Sequence, residues 1–174
     1  YVFCFADYST LELRALAQVT YGLFGYSRMR DMINAGQDLH LGLCAIFNNK
    51  SYEETKAAFD AKSMADTLKA LGAANPADSK DVQVTGPDIA ENGAVVPLGA
   101  STNLPNVKQL LILVEKNPSS LVAMFNVTDS IDANISTRAK MGQSSDVYAV
   151  AITNDGKALF AKKEVKVTLG GCGG

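Results

Sequence analysis

Apolar positions recur along the chain in two rhythms, and the change from one to the other falls between about Asn48 and Ala57. Before the change, Tyr1 to Ala6 reads as a short buried strand. Leu11, Leu13, Leu16, Ala17 and Leu23 then keep a helical spacing, with Ser9 or Thr10 placed as N-cap. Further helices are predicted over Met29 to Asn34 and Leu39 to Phe47. Across the seam, Glu53 to Leu71 reads as one amphipathic helix. Phe59, Met64, Leu68 and Leu71 share a face there, and Gly72 supplies a left-handed stop.

From Lys80 the helical period gives way to short alternating runs separated by Pro, Gly and Asn/Asp clusters. Strands are predicted at Val82 to Thr85, Ala94 to Ala100, Lys108 to Glu115, Leu121 to Asn126, Asn134 to Lys140, Asp146 to Thr153 and Ala158 to Thr168. Asn154-Asp155-Gly156-Lys157 is a tight-turn sequence and predicts a hairpin between the last two. In the final run Val165, Val167 and Leu169 alternate with Glu164, Lys166 and Thr168, so one face packs inward.

Such strands, with no crossover helices among them, predict a mainly β fold, an immunoglobulin-like antiparallel β-sandwich preceded by helices. The expected organisation is a strand and helices over 1–52, an amphipathic helix and linker over 53–79, the sandwich over 80–169 and a flexible Gly-rich C-terminal arm over 170–174. The apolar runs Leu110 to Val114 and Val147 to Ile152 are the expected faces for a partner domain.

Composition narrows the function classes. The 174 residues are 47% hydrophobic and 20% charged, as expected of a folded globular chain. A net charge of -2 and the lack of a basic stripe give no footing for nucleic acid. The apolar runs are shorter than a membrane span, and as written the first residues carry no export signal, so the sequence as written is expected to stay cytoplasmic. Cys4, Cys44 and Cys172 are too few for a disulfide framework and lack metal-ligand spacing.

The candidate chemistry lies in Gly170-Gly171-Cys172-Gly173-Gly174. Side chains are almost absent here, so the sequence predicts a mobile arm carrying an unhindered thiol, able to enter a narrow channel. From Leu169 such an arm carries the sulfur roughly 10 Å beyond the sheet, at about 3.3 to 3.6 Å per residue. Ordering each glycine in a partner costs about 1 to 2 kcal/mol, so docking is expected to be weak and reversible. Lys162, Lys163 and Lys166 lie upstream and favour the thiolate or an anionic cargo. On composition alone, a carrier thiol and a conjugation handle stand equal.

Residues from about Ala57 to Gly174 resemble the SoxY family, the sulfur-carrier subunit of the bacterial thiosulfate-oxidising Sox system. The resemblance is carried by Ala61-Lys62-Ser63-Met64-Ala65-Asp66, by Asp88-Ile89-Ala90-Glu91-Asn92-Gly93-Ala94-Val95-Val96-Pro97 and by Val114-Glu115-Lys116-Asn117-Pro118. Ser136-Thr137-Arg138, Lys140-Met141-Gly142-Gln143 and the run from Val165 into the terminal motif add to it. It implies that Cys172 is the attachment point for cargo, with Gly170, Gly171, Gly173 and Gly174 as the flexible arm. A c-type cytochrome enzyme would couple the thiol to thiosulfate, a hydrolase would release sulfate, and a further component would oxidise the remaining sulfane. The carrier is then not an enzyme and needs no cofactor beyond the thiosulfonate or sulfane on Cys172. The resemblance also implies a heterodimer with a SoxZ-like subunit and a periplasmic home.

The first 50 residues resemble a different family. Asp7-Tyr8-Ser9-Thr10-Leu11-Glu12-Leu13-Arg14 is similar to motif A of the family A DNA polymerases, and Asp38-Leu39-His40 to their downstream helix. The resemblance implies a metal-binding role for the residue at Asp7 and ribonucleotide exclusion for that at Glu12. The second metal-binding aspartate and the nucleotide-binding helix have no counterpart, so no metal site and no polymerase activity are expected. The two resemblances together describe a chimera.

The remaining candidates read as structural. His40 is expected to cap or pack beside a helix, Cys4 and Cys44 to be buried thiols, and Met124 and Met141 to fill space. Asp129 and Asp132 lie in a loop without an ordered run of calcium ligands. Two other classes stay open: a ubiquitin-like carrier using the Gly173-Gly174 carboxylate, which needs a β-grasp, and a structural sandwich with an idle tail.

Overall fold

The computed structural model describes residues 11–171. The strand expected over Tyr1 to Ala6, the caps expected at Ser9 or Thr10, and Cys4, Asp7, Cys172, Gly173 and Gly174 lie outside the described residues. The chain divides between Thr55 and Lys56 into two compact units.

The first unit contains α1 (Leu11–Phe24), α2 (Arg28–Asn34) and α3 (Leu39–Phe47). Ser27 caps α2 by accepting from the Arg30 N–H, and Asp38 caps α3 by accepting from the His40 and Leu41 N–H groups. Those two backbone donors hold the Asp38 carboxyl below its usual range, Leu41 contributing most. Large apolar side chains remain exposed on these helices, among them Leu23 and Phe47.

In the second unit the single helix expected over Glu53 to Leu71 is two: α4 (Tyr52–Asp60), which starts before the division, and α5 (Met64–Ala70). The break has a local cause. Ser63 takes an extended backbone and caps α5, its Oγ accepting from the Asp66 N–H at 3.1 Å. The turn over 117–120 binds two carbonyls freed at the break and accepts one bond from it. The Ser119 hydroxyl donates to Phe59 O, the Ser120 N–H donates to Ala61 O at 3.0 Å, and the Lys62 ammonium donates to Pro118 O. Gly72 does end α5, at φ +74, with the Ala73 N–H reaching back to Leu68 O.

Among the described residues nine strands follow, in two sheets. They are β1 (Ala74–Asp78), β2 (Val82–Thr85), β3 (Ile89–Asn92), β4 (Val96–Thr102), β5 (Val107–Val114), β6 (Leu121–Asn126), β7 (Asn134–Ala139), β8 (Ser145–Thr153) and β9 (Lys157–Leu169). One sheet runs β1-β9-β8-β5-β6, with β3 also on β9; the other runs β2-β4-β7. The hairpin expected at Asn154 to Lys157 joins β8 to β9, with Gly156 at φ +82. The sandwich is as expected, but β1 and β3 are additions, and both pair with β9 in parallel. β1 lies in the stretch expected to be a linker. Neither segment has an alternating apolar pattern. Each occupies an edge of a long strand, so pairing with the ladder of β9 defines them, and within β3 only Ala90 is buried in the core.

The sandwich interior holds Val96, Leu98, Leu110, Ile112, Val147 and Val165, with Met141 fully buried among them, while Met124 is half-buried. The other face of the larger sheet is covered too. Leu111, Leu113, Val150 and Ile152 meet Ala58 of α4, Leu68 of α5 and Leu71, which caps α5. This overturns the expectation that Leu110 to Val114 and Val147 to Ile152 present a face to a partner. Leu110 through Val114 are 0% exposed, and so are Val147 and Ala149 through Ile152. Five consecutive apolar residues lack alternation because both faces of β5 are roofed, one by the second sheet and one by helices.

Candidate functional site

The site is built where β9 leaves the sandwich. β8 accompanies β9 only as far as the pairing of Ser145 with Val165. Beyond that point the loop over 140–144 takes its place: the Val167 N–H donates to the Ser144 hydroxyl at 2.9 Å. On the opposite edge β3 runs alongside, with Ile89, Ala90 and Asn92 in register with Lys166, Val167 and Leu169. An Asx turn ends β3, the Ala94 N–H donating to Asn92 Oδ1 at 2.8 Å.

The turn brings Gly93 between the two flanking segments. The Gly93 N–H donates to Leu169 O at 2.7 Å, the Met141 N–H donates to Gly93 O at 2.7 Å, and the Gly171 N–H donates to Met141 O at 2.9 Å. The loop is itself pinned, with Asn117 Nδ2 donating to Lys140 O and the Gly142 N–H donating to Asn117 Oδ1. These contacts leave no space for side chains. A Cβ on Gly93 would lie 2.3 Å from Met141 O and 2.7 Å from Gly171 N, and one on Gly171 would lie 2.4 Å from Gly93 O. A Cβ on Gly170 would lie 2.4 Å from Gly142 O.

Gly170 and Gly171, expected as the free start of an arm, are therefore held. The sequence suggested slack because glycine has nothing to bury; here the missing side chain is what lets three backbones approach. Cys172 follows directly on the last of these hydrogen-bonded residues and, with Gly173 and Gly174, lies outside the described residues. Gly93 and Met141 carried no sequence signal of this kind beyond the glycine itself.

Lys162 and Lys163 are engaged elsewhere. Lys162 pairs with Asp146 at 3.2 Å, and Lys163 pairs with Asp88 at 2.9 Å while donating to Gly86 O at 2.6 Å. The Lys163 ammonium, as hydrogen-bond donor and then as charge, holds the Asp88 carboxyl below its usual range. Both cations face carboxylates, which corrects the expectation that they serve a thiolate or anionic cargo. Lys166 is exposed, and Leu169, Ile89 and Val95 are exposed apolar residues of the same end.

The other candidates do not converge. Glu12 is exposed in the first turn of α1, while Asp7 lies outside the described residues. His40 is exposed, 3.5 Å from Asp38, and the cap it was expected to provide is supplied by Asp38. Cys44 is half-buried and not fully buried as expected; Asn48 Nδ2 stands 3.4 Å from its sulfur. Asp129 and Asp132 are exposed, and among the described residues no three His, Cys, Asp or Glu side chains group to hold a metal.

The model of the family described as sulfur oxidation protein SoxY matches residues 68–172, from α5 to the cysteine. The chain belongs to the SoxY family. The solved sulfur carrier protein SoxY from Chlorobium limicola f thiosulfatophilum is 33% identical, with a TM-score of 0.54 over 60% of this chain and 94% of that one. A superoxide reductase (neelaredoxin) from Ignicoccus hospitalis has a TM-score of 0.43 at 18% identity, covering 49% of this chain and 79% of its own. No curated protein matches the chain. Membership of the SoxY family gives this chain a sulfur-carrier role in general and implies interaction with other Sox proteins. The match begins at Leu68, and the resemblance of residues 1–50 to a polymerase motif gains no support from it. Among the described residues no helix is long and apolar enough to cross a membrane.

Proposed function

We propose that this SoxY protein holds thiosulfate-derived sulfur covalently on Cys172 and presents it to partner enzymes during thiosulfate oxidation. The observation that carries the reading is the position of Cys172. It stands one residue beyond the Gly171 N–H bonded to Met141 O, within the residues that the family matches. A thiol there starts from a defined point on the sandwich and has glycine on both sides.

In the loading step the Cys172 thiol and thiosulfate form a sulfur–sulfur bond. The thiol proton is released, and two electrons pass to a c-type cytochrome enzyme acting as oxidant. The product is a cysteine S-thiosulfonate. Water then cleaves the bond between sulfane and sulfonate sulfur on a hydrolase, releasing sulfate and two protons and leaving a persulfide anion on Cys172. A sulfane-oxidising enzyme takes that sulfur further. The thiolate is the attacking form, so the coupling enzyme must favour ionisation of the thiol. The proposal includes a heterodimer with a SoxZ-like subunit and a periplasmic setting. The β-grasp alternative is not retained, because the strands form a sandwich whose helices cover an outer face.

The test is intact and peptide mass spectrometry after incubation with thiosulfate and the coupling enzyme. A single thiosulfonate is expected on the peptide containing Cys172 and none in Cys172→Ser. An adduct that persists in Cys172→Ser, or that sits on Cys44, rejects the assignment.

A further inference from the structure

We infer that Gly93 is a positioning residue for the Cys172 thiol: it seats Gly171 and so fixes where the cargo-bearing residue leaves the fold. The inference rests on Cys172 being the cargo site and adds a residue distant in sequence to that site's machinery. Gly93 receives Met141 and is bonded to Leu169, while Met141 in turn receives Gly171, so the segment 169–171 is gripped at both ends through one pair of residues. The grip depends on close backbone approach. The atoms a Cβ on Gly93 would strike are mainly backbone, Met141 O at 2.3 Å and Gly171 N at 2.7 Å, together with the Val167 Cγ1 methyl at 2.9 Å. Backbone atoms cannot swing aside as the end of a long side chain does. A side chain at 93 must push the segment off.

The consequence for the thiol is geometric. With Gly171 seated, the Cys172 sulfur is confined to roughly 7 Å from the Gly171 Cα, one Cα–Cα step plus the side chain. With the segment released from Leu169 onward, two more residues at about 3.3 to 3.6 Å each extend that radius to roughly 14 Å. Doubling the radius spreads the thiol over about eight times the volume. Its effective concentration at the mouth of a docked enzyme falls by about that factor. Encounter with a small free reagent does not depend on this confinement.

The experiment uses the full chain carrying Cys4→Ser and Cys44→Ser, so that Cys172 is its sole thiol, with and without Gly93→Ala. Three quantities are read: the mobility of a nitroxide on Cys172, its alkylation rate with iodoacetamide, and its rate of thiosulfate loading by the coupling enzyme at saturating carrier. Gly93→Ala is expected to sharpen the nitroxide spectrum and leave alkylation within about twofold. Loading is expected to slow about eightfold. Gly171→Ala attacks the same contact from the other side, its Cβ falling 2.4 Å from Gly93 O, and serves where Gly93→Ala does not fold. Unchanged mobility in a folded variant overturns the inference. So does sharpened mobility with unchanged loading, since the contact is then structural only. A parent protein that takes no thiosulfate refutes the carrier assignment instead, and the nitroxide comparison still decides whether Gly93 holds residue 172.

Discussion

Truncating Leu68 to alanine tests whether α5 is an integral roof of the sheet or an appendage to it. Leu68 is 2% exposed and belongs to the cluster of Leu111, Leu113 and Val150 on the larger sheet. Removing its isobutyl end leaves a cavity whose cost depends on how far the surroundings collapse, and measured Leu→Ala losses span about 2.7 to 5 kcal/mol. Collapse is restricted here. The start of α5 is tied through the Thr67 hydroxyl, 3.0 Å from that of Ser120 and 2.9 Å from Ser63 O, so the helix cannot slide inward. We therefore place the loss at about 3 to 4 kcal/mol. For a unit the size of residues 56–174, about 4 °C per kcal/mol makes this a fall in Tm of about 12 to 16 °C. Urea denaturation followed by far-ultraviolet circular dichroism should show a lower midpoint with an unchanged slope. A loss below about 0.5 kcal/mol would refute the roof, as would a separate early helical transition that leaves the sheet midpoint in place.

Ser120→Ala should cost about 1 to 2 kcal/mol by the same measurement, toward the lower end, because Ala61 O and Thr67 each keep another partner. Tyr148 should give the protein an alkaline sensitivity. Burial first, then its hydrogen bond to Glu115 at 3.0 Å, pushes the phenol up to about 12. A group with a raised folded pKa contributes stability that is complete below the unfolded value of about 10 and is lost as pH climbs toward 12. Unfolding midpoints from pH 9 to 12 should fall less steeply in Tyr148→Phe than in the parent; equal slopes would contradict the assignment.

Local chemistry made much of this fold legible. Leu121 to Asn126 and Val82 to Thr85 form strands with the predicted bounds, and the Asn-Asp-Gly turn makes its hairpin, because alternation and turn residues act over a few neighbours. Cys172 stood out as a candidate for a similarly local reason, its glycine neighbours. Interactions between distant segments decided the rest. Whether Glu53 to Leu71 is one helix or two rests on a local cap, Ser63 starting α5, and on Ser119 and Ser120 reaching carbonyls some 60 residues earlier, which no propensity within the helix encodes. The run Leu110 to Val114 announces burial but not its partner: the same residues suit an exposed docking face or a strand roofed on both sides, and only packing chooses. Glycine was the most ambiguous letter. The tail glycines mean slack where nothing adjoins them and close contact where Gly93 and Met141 do, because a residue without a side chain takes its role from whatever backbone the fold brings against it.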